Sequence, residues 1–132
     1  MFKYDKLNAC SIIGAPPAER VVEFSPSGLD AGDVARVLSL AVDGRALSVE
    51  AGEGFAVVNG RVNFRLVWQD RDGKPRGADY NADFNLRAEG GFSPEDSVTA
   101  EVSVTEADVR TGDKVVLTAL ISVRTEAMHR TE

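Results

Sequence analysis

Between Arg61 and Gln69 the chain alternates strictly between apolar and polar residues. Val62, Phe64, Leu66 and Trp68 take one parity and Arg61, Asn63, Arg65 and Gln69 the other, with Val67 the single apolar residue in the polar set. The rhythm recurs twice. Tyr80, Ala82, Phe84 and Leu86 alternate with Asn81, Asp83, Asn85 and Arg87, and Val98, Ala100, Val102 and Val104 alternate with Thr99, Glu101, Ser103 and Thr105. Successive side chains of a strand point to opposite faces, so these segments predict an antiparallel sheet with one dry face and one wet face. Lys114–Arg124 differs, because Val116 and Leu120 add apolar positions to the face opposite Val115, Leu117, Ala119, Ile121 and Val123. That pattern predicts a strand covered on both sides.

Turn residues punctuate the alternation. Asn59-Gly60 divides Phe55–Val58 from Arg61–Gln69 and reads as a two-residue hairpin turn. Asp72-Gly73-Lys74-Pro75, the loop Glu89–Pro94 and Thr111-Gly112-Asp113 separate the strands that follow. Upstream, Ala41–Ala51 reads as a strand ending at Gly52 and Gly54. Val34, Val37, Leu38 and Ala41 fall at helical spacing behind Asp30 or Asp33 as a cap, which predicts a short helix over residues 33–40. Cys10–Ile13 and Arg20–Phe24 are short strand candidates parted by Ala15-Pro16-Pro17, where proline forbids a continuous central strand. The expected fold is all-β: one antiparallel β-sandwich or flattened barrel of about seven strands with one short helix. The whole chain, residues 1–132, reads as one domain, with an N-terminal strand segment over 1–14, a body over 15–126 and a polar tail over 127–132.

Composition narrows the function more than it names it. A chain of 132 residues with 43% hydrophobic and 27% charged residues can bury a core of its own. One cysteine excludes an internal disulfide, and one histidine with one cysteine excludes a His/Cys zinc site within a subunit. The net charge of −6 argues against nucleic acid as a partner. The acids gather late in the chain: Glu89, Glu95, Asp96, Glu101, Glu106 and Asp108 follow one another with no base between them. That stretch reads as a solvated strand face, or else as a dock for a basic partner or a cation. No apolar run is long enough to span a bilayer, and the first residues are too polar for a signal peptide, so synthesis in the cytoplasm is expected.

The run Asp33–Ala41, the strand Leu47–Ala51 and the segment Val57–Trp68 together resemble the SPOCS-type β domain of spore-coat morphogenetic and related envelope proteins. Cys10-Ser11-Ile12-Ile13-Gly14 is similar to its opening strand and Lys114–Ala127 to its closing one, so the resemblance covers residues 9–127. It rests on strand and turn patterns in a single copy, without a LysM segment. It implies a non-enzymatic structural module that self-associates and meets other coat or envelope proteins, located in a spore coat or cell-surface assembly. It supplies no catalytic residue.

Candidate chemistry is sparse. Asp70-Arg71-Asp72-Gly73-Lys74 has two ligands of a calcium loop, Asp70 and Asp72, but Asn81 stands where the distal glutamate belongs, so a polar hairpin turn is the better reading. Gly90-Gly91 lacks the Lys-Ser/Thr of a phosphate cradle, and His129 falls in the polar tail. Glu50 with Glu53 and Glu95 with Asp96 are acidic pairs with no cleft in evidence. No catalytic, cofactor-binding or metal-ligating residue is assigned, and no enzyme activity is expected. Trp68, Tyr80 and Phe84 could form a sugar-stacking platform, but their shared parity with valine and leucine places them in the core. The alternative function is therefore a small ligand-binding β domain for carbohydrate or cell-wall fragments. Cys10, Ile12 and Ile13, with Leu7 and Ala9, form an apolar segment set off by the prolines. It is expected to close its own sheet. Its alternative use is donation to a neighbour's open edge, with Cys10 at the junction.

Overall fold

The computed structural model describes residues 10–130. Seven strand segments follow in order: β1 Cys10–Gly14, β2 Ala18–Phe24, β3 Arg36–Gly52, β4 Phe55–Gln69, β5 Pro75–Glu89, β6 Ser97–Thr111 and β7 Val115–Arg130. They form a four-stranded sheet A, in which β7 pairs with β1, β2 and β6, and a three-stranded meander, sheet B, in the order β3-β4-β5. All pairings are antiparallel. β1 and β2 lie end to end along one side of β7, because Gly14 pairs with Glu126 and Ala18 with Val123. Ala15-Pro16-Pro17 occupies the break, where Ala15 N donates to Thr125 O (3.3 Å) and the prolines have no N–H to give. Seven segments thus make three rows in each layer.

The two sheets face each other across a shared core. Val58, Val62, Phe64 and Leu66 of β4 and Val115, Leu117, Ile121 and Val123 of β7 are almost completely buried. These are the even parity of β4 and the odd parity of β7, as the alternation requires. At one margin β3 runs beside β6 with Cα atoms within 8 Å, and at the other β2 approaches β5, but no backbone ladder joins the sheets at either margin. The arrangement is sandwich-like and the barrel is not closed. Both faces of β7 were expected to be covered; instead Val116 and Leu120 are only half-buried, and among the described residues no third sheet lies over them. The expected tail also begins too early. β7 continues to Arg130, and Ala127 is buried with Ala56 and Phe92 in a small second cluster.

The expected helix over residues 33–40 is absent. A single 3-10 turn, Ala31–Asp33, is followed by β3 from Arg36. The misleading spacing has a physical cause. β3 carries register shifts between Val37 and Ser39 and between Ala46 and Ser48, so Leu38 and Leu47 are the extra residues of two bulges. Each bulge turns an inward spacing of two into one of three: Val37 and Leu40, then Ala46 and Val49, are the partly buried residues packed on the core. A spacing of three is close to one helical turn of 3.6 residues, so a bulged strand imitates a helix over a short stretch.

Asn59-Gly60 is not a turn either. The β3–β4 hairpin closes at Glu53-Gly54, between paired Gly52 and Phe55, with Gly54 at φ 84°. Gly60 occupies an even, buried position in mid-strand, opposite Ala46 and Phe84. Gly54 N donates to Phe92 O (2.9 Å) and Gly90 N to Gly54 O (3.1 Å), tying this hairpin to the crossover from β5 to β6.

Among the described residues, one buried polar side-chain atom lacks a partner. The Thr125 hydroxyl lies in the interior, 1% exposed, without a hydrogen bond. A buried hydroxyl left unpaired costs about 1–3 kcal/mol, while valine has nearly its shape. Thr125→Val is expected to raise the chemical-denaturation midpoint, corresponding to about 1 kcal/mol. A lower midpoint would show that the hydroxyl is satisfied in solution.

Candidate functional site

The end of the molecule beside the β4–β5 hairpin brings together two features that the sequence presents separately, Trp68 and the Asp70–Lys74 turn. Asp70 organises that turn. Its Oδ1 accepts from the amides of Asp72 (3.0 Å) and Lys74 (2.9 Å), and its Oδ2 accepts from Arg76 Nε (2.9 Å). Gly73 supplies the positive φ of 82° that brings the chain back. Across from the turn, Arg71 Nε donates to Gly32 O (2.6 Å), holding the β2–β3 loop close. A cleft of about 410 Å³ lies between them, lined by Leu29, Trp68, Asp33, Asp72, Arg71 and Arg76 among others. Trp68 is 9% exposed, so it offers the cleft little stacking surface. Tyr80 packs against Phe24, with ring centroids 5.5 Å apart, and Phe84 is buried. The three aromatics serve the core.

Asp70 and Asp72 do not form a calcium loop here, because the Asp70 oxygens already serve the turn and Arg76. Among the described residues no group of three or more His, Cys, Asp or Glu is placed to hold a metal ion. Also among them, no helix is long and apolar enough to cross a membrane. The backbone of Cys10, Ile12 and Ile13 pairs with Arg130, Met128 and Ala127 of the same chain's β7. Leu7 and Ala9 lie outside the described residues.

The outer face of sheet B carries a feature that the sequence reading missed. Four cross-strand pairs alternate along β4 and β5: Arg65–Asp79, Asn63–Asn81, Arg61–Asp83 and Asn59–Asn85. Arg65 donates to both Asp79 oxygens (2.9 and 3.2 Å), Asn63 Nδ2 to Asn81 Oδ1 (2.8 Å), Arg61 Nε to Asp83 Oδ1 (2.7 Å) and Asn85 Nδ2 to Asn59 Oδ1. The rungs are two residues apart, roughly 6.8 Å along the strand. Asn59 Nδ2 extends the last rung to Ser48 Oγ of β3 (3.2 Å). Beyond it the Arg87 guanidinium lies 3.9 Å from the centre of the Phe55 ring and pairs with Glu89 (3.1 Å). The signal was present in the sequence as residue type at every second position of both segments, but pairing requires the register, which a sequence does not print. Each exposed pair contributes little stability, and together they order the side chains of a polar surface.

These pairs leave an electrostatic signature. Hydrogen bonds from Arg65 and Arg61 hold the Asp79 and Asp83 carboxyls below the ordinary value of 3.8. Arg76, and then the Lys74 amide, do the same for Asp70. A depressed carboxyl favours the folded state above its ordinary value, and that contribution is lost as pH falls through the lowered value. The unfolding midpoint is expected to hold from neutrality to about pH 4 and then to fall. In D70N/D79N/D83N the acid limb becomes shallower. An unchanged limb would mean that other carboxyls control it.

Fold and surface define a small β-sandwich-like protein with one paired polar face and one polar end cleft. Set against known proteins, the chain matches no family model, no curated protein and no solved structure.

Proposed function

We propose that the protein is a non-enzymatic structural module that assembles with copies of itself and with other proteins, in a coat or envelope setting of the kind the SPOCS-type resemblance implies. The carrying observation is the outer face of sheet B. Its side chains are already paired into an ordered ladder, so a contact there has little side-chain entropy left to lose. The two β3 bulges leave Leu38 and Leu47 exposed, 41% and 48%, on the strand that borders this face. Burial of Trp68, Tyr80 and Phe84 within or against the core also supports a structural role over a sugar-stacking platform.

Light scattering across a concentration series tests the proposal. The mass is expected to rise above the 14.1 kDa of one chain, and L38E/L47E to return it to that value without loss of the β spectrum. A wild-type protein that stays at 14.1 kDa at every concentration overturns the self-association.

A further inference from the structure

The outer face of sheet A has a different character. Val21 of β2 stands opposite Leu120 of β7, which stands opposite Glu106 of β6. A groove of about 510 Å³ runs there, with Val21, Leu120, Ala107 and Thr118 along it and Glu106 and Asp108 at its edge. Val21 is 60% exposed, more than Leu38, Leu47 or Met128. The register shift between Val104 and Glu106 disturbs the alternation of β6, and Glu106 to Asp108 are all exposed in succession. Among the described residues neither Glu106 nor Asp108 enters an ion pair, whereas Glu23 is 3.5 Å from Arg110.

We propose that this groove docks a basic, extended segment of a partner protein in which Lys or Arg flank Val or Leu. The apolar side chains cover Val21 and Leu120, and the long basic side chains reach the Glu106 and Asp108 carboxylates while their stems stay on the apolar floor. A second copy meeting this face with its own would set Glu106 and Asp108 against their counterparts, so it is a poor occupant of this groove. A small inorganic cation would leave Val21 uncovered. The acidic stretch that the sequence shows after Glu89 thereby gains a role, through the part of it that β6 carries beside an exposed valine. The proposal rests on the reading of the protein as an assembly module and names the chemistry of one partner.

The probe is a short fluorescein-labelled peptide of alternating Lys and Val, titrated with the full chain and read by anisotropy. Binding is expected at low salt and is expected to weaken at about 0.2 M salt. E106Q/D108N should weaken it about tenfold, since two exposed ion pairs contribute up to about that factor together. V21S should weaken it independently of charge, and E53Q/D72N, which removes two acids elsewhere, should leave it unchanged. The proposal is overturned by any of three results: no binding at low salt, equal loss in E53Q/D72N, or equal affinity for a Lys/Ser peptide. Circular dichroism of each variant secures the comparison, and V21S stands as a separate arm should the double variant fold poorly. Light scattering on the same samples keeps the two readings apart. A monomeric wild type that binds the peptide removes self-association alone, and an assembled protein that ignores the peptide removes the groove alone.

Discussion

Phe64→Ala is expected to remove most of the stability of this domain. The ring is fully buried at the middle of β4, with Val42 and Tyr80 as its cross-strand neighbours and both sheets contributing to the cluster around it. Truncating a buried phenylalanine costs about 3–5 kcal/mol, against a total of about 5–15 kcal/mol for a small domain. The paired control is one residue away. Asn63→Ala changes the opposite face of the same strand, where the side chain bonds to Asn81, and should shift stability by about 0.5 kcal/mol. Urea denaturation of the two variants reads the difference directly. Equal midpoints would refute the assignment of the Phe64 face to the core, and a larger loss in Asn63→Ala would mean that the strand is turned over.

The second large effect belongs to Gly60. A Cβ at this position would lie 2.2 and 2.5 Å from the Phe84 ring and 2.7 Å from the Arg45 carbonyl oxygen. The ring occupies the space a side chain would need, which is how an aromatic compensates a glycine within a sheet. Gly60→Val must therefore displace a core ring and a neighbouring backbone together. We expect it to destabilise at or beyond the upper end of the about 1–3 kcal/mol typical of overpacking. The cause can be separated from glycine conformation. Gly60→Ala should cost less in a Phe84→Ala background than in the wild type, because the ring half of the clash is gone. Strict additivity would place Phe84 away from Gly60. Read as a hairpin turn, Gly60 would also be sensitive, but through its φ and without any coupling to Phe84.

The polar ladder and the apolar core are two parities of the same strands, and both were written in the chain. Val62, Phe64, Leu66 and Trp68 are buried in β4 as their alternation requires, and the last strand presents Val115, Leu117, Ile121 and Val123 to the interior. The Asp70–Lys74 segment was legible as a turn because aspartate and glycine supply the acceptor and the positive φ that such a turn needs. Helix and turn were misread in β3 and at Gly60 for one shared reason. A bulge gives an inward spacing of three, and a glycine under a ring looks like a loop residue, when only nearby positions along the chain are compared.

What the sequence determined by itself is parity: which side chains seek water, which seek the core, and hence an all-β chain with one wet face per strand. That information is local, because a strand's period of two needs no knowledge of its neighbours. The tertiary structure alone decided which strands are neighbours. Register sets Arg61 against Asp83 and Arg65 against Asp79, bulges bring Leu38 and Leu47 to the surface, and β7 draws Val21 and Glu106 to either side of Leu120. The ladder partners lie 14 to 26 residues apart in the chain, and Val21 and Glu106 far more. Their meeting depends on the packing of whole sheets, which no stretch of a few residues encodes.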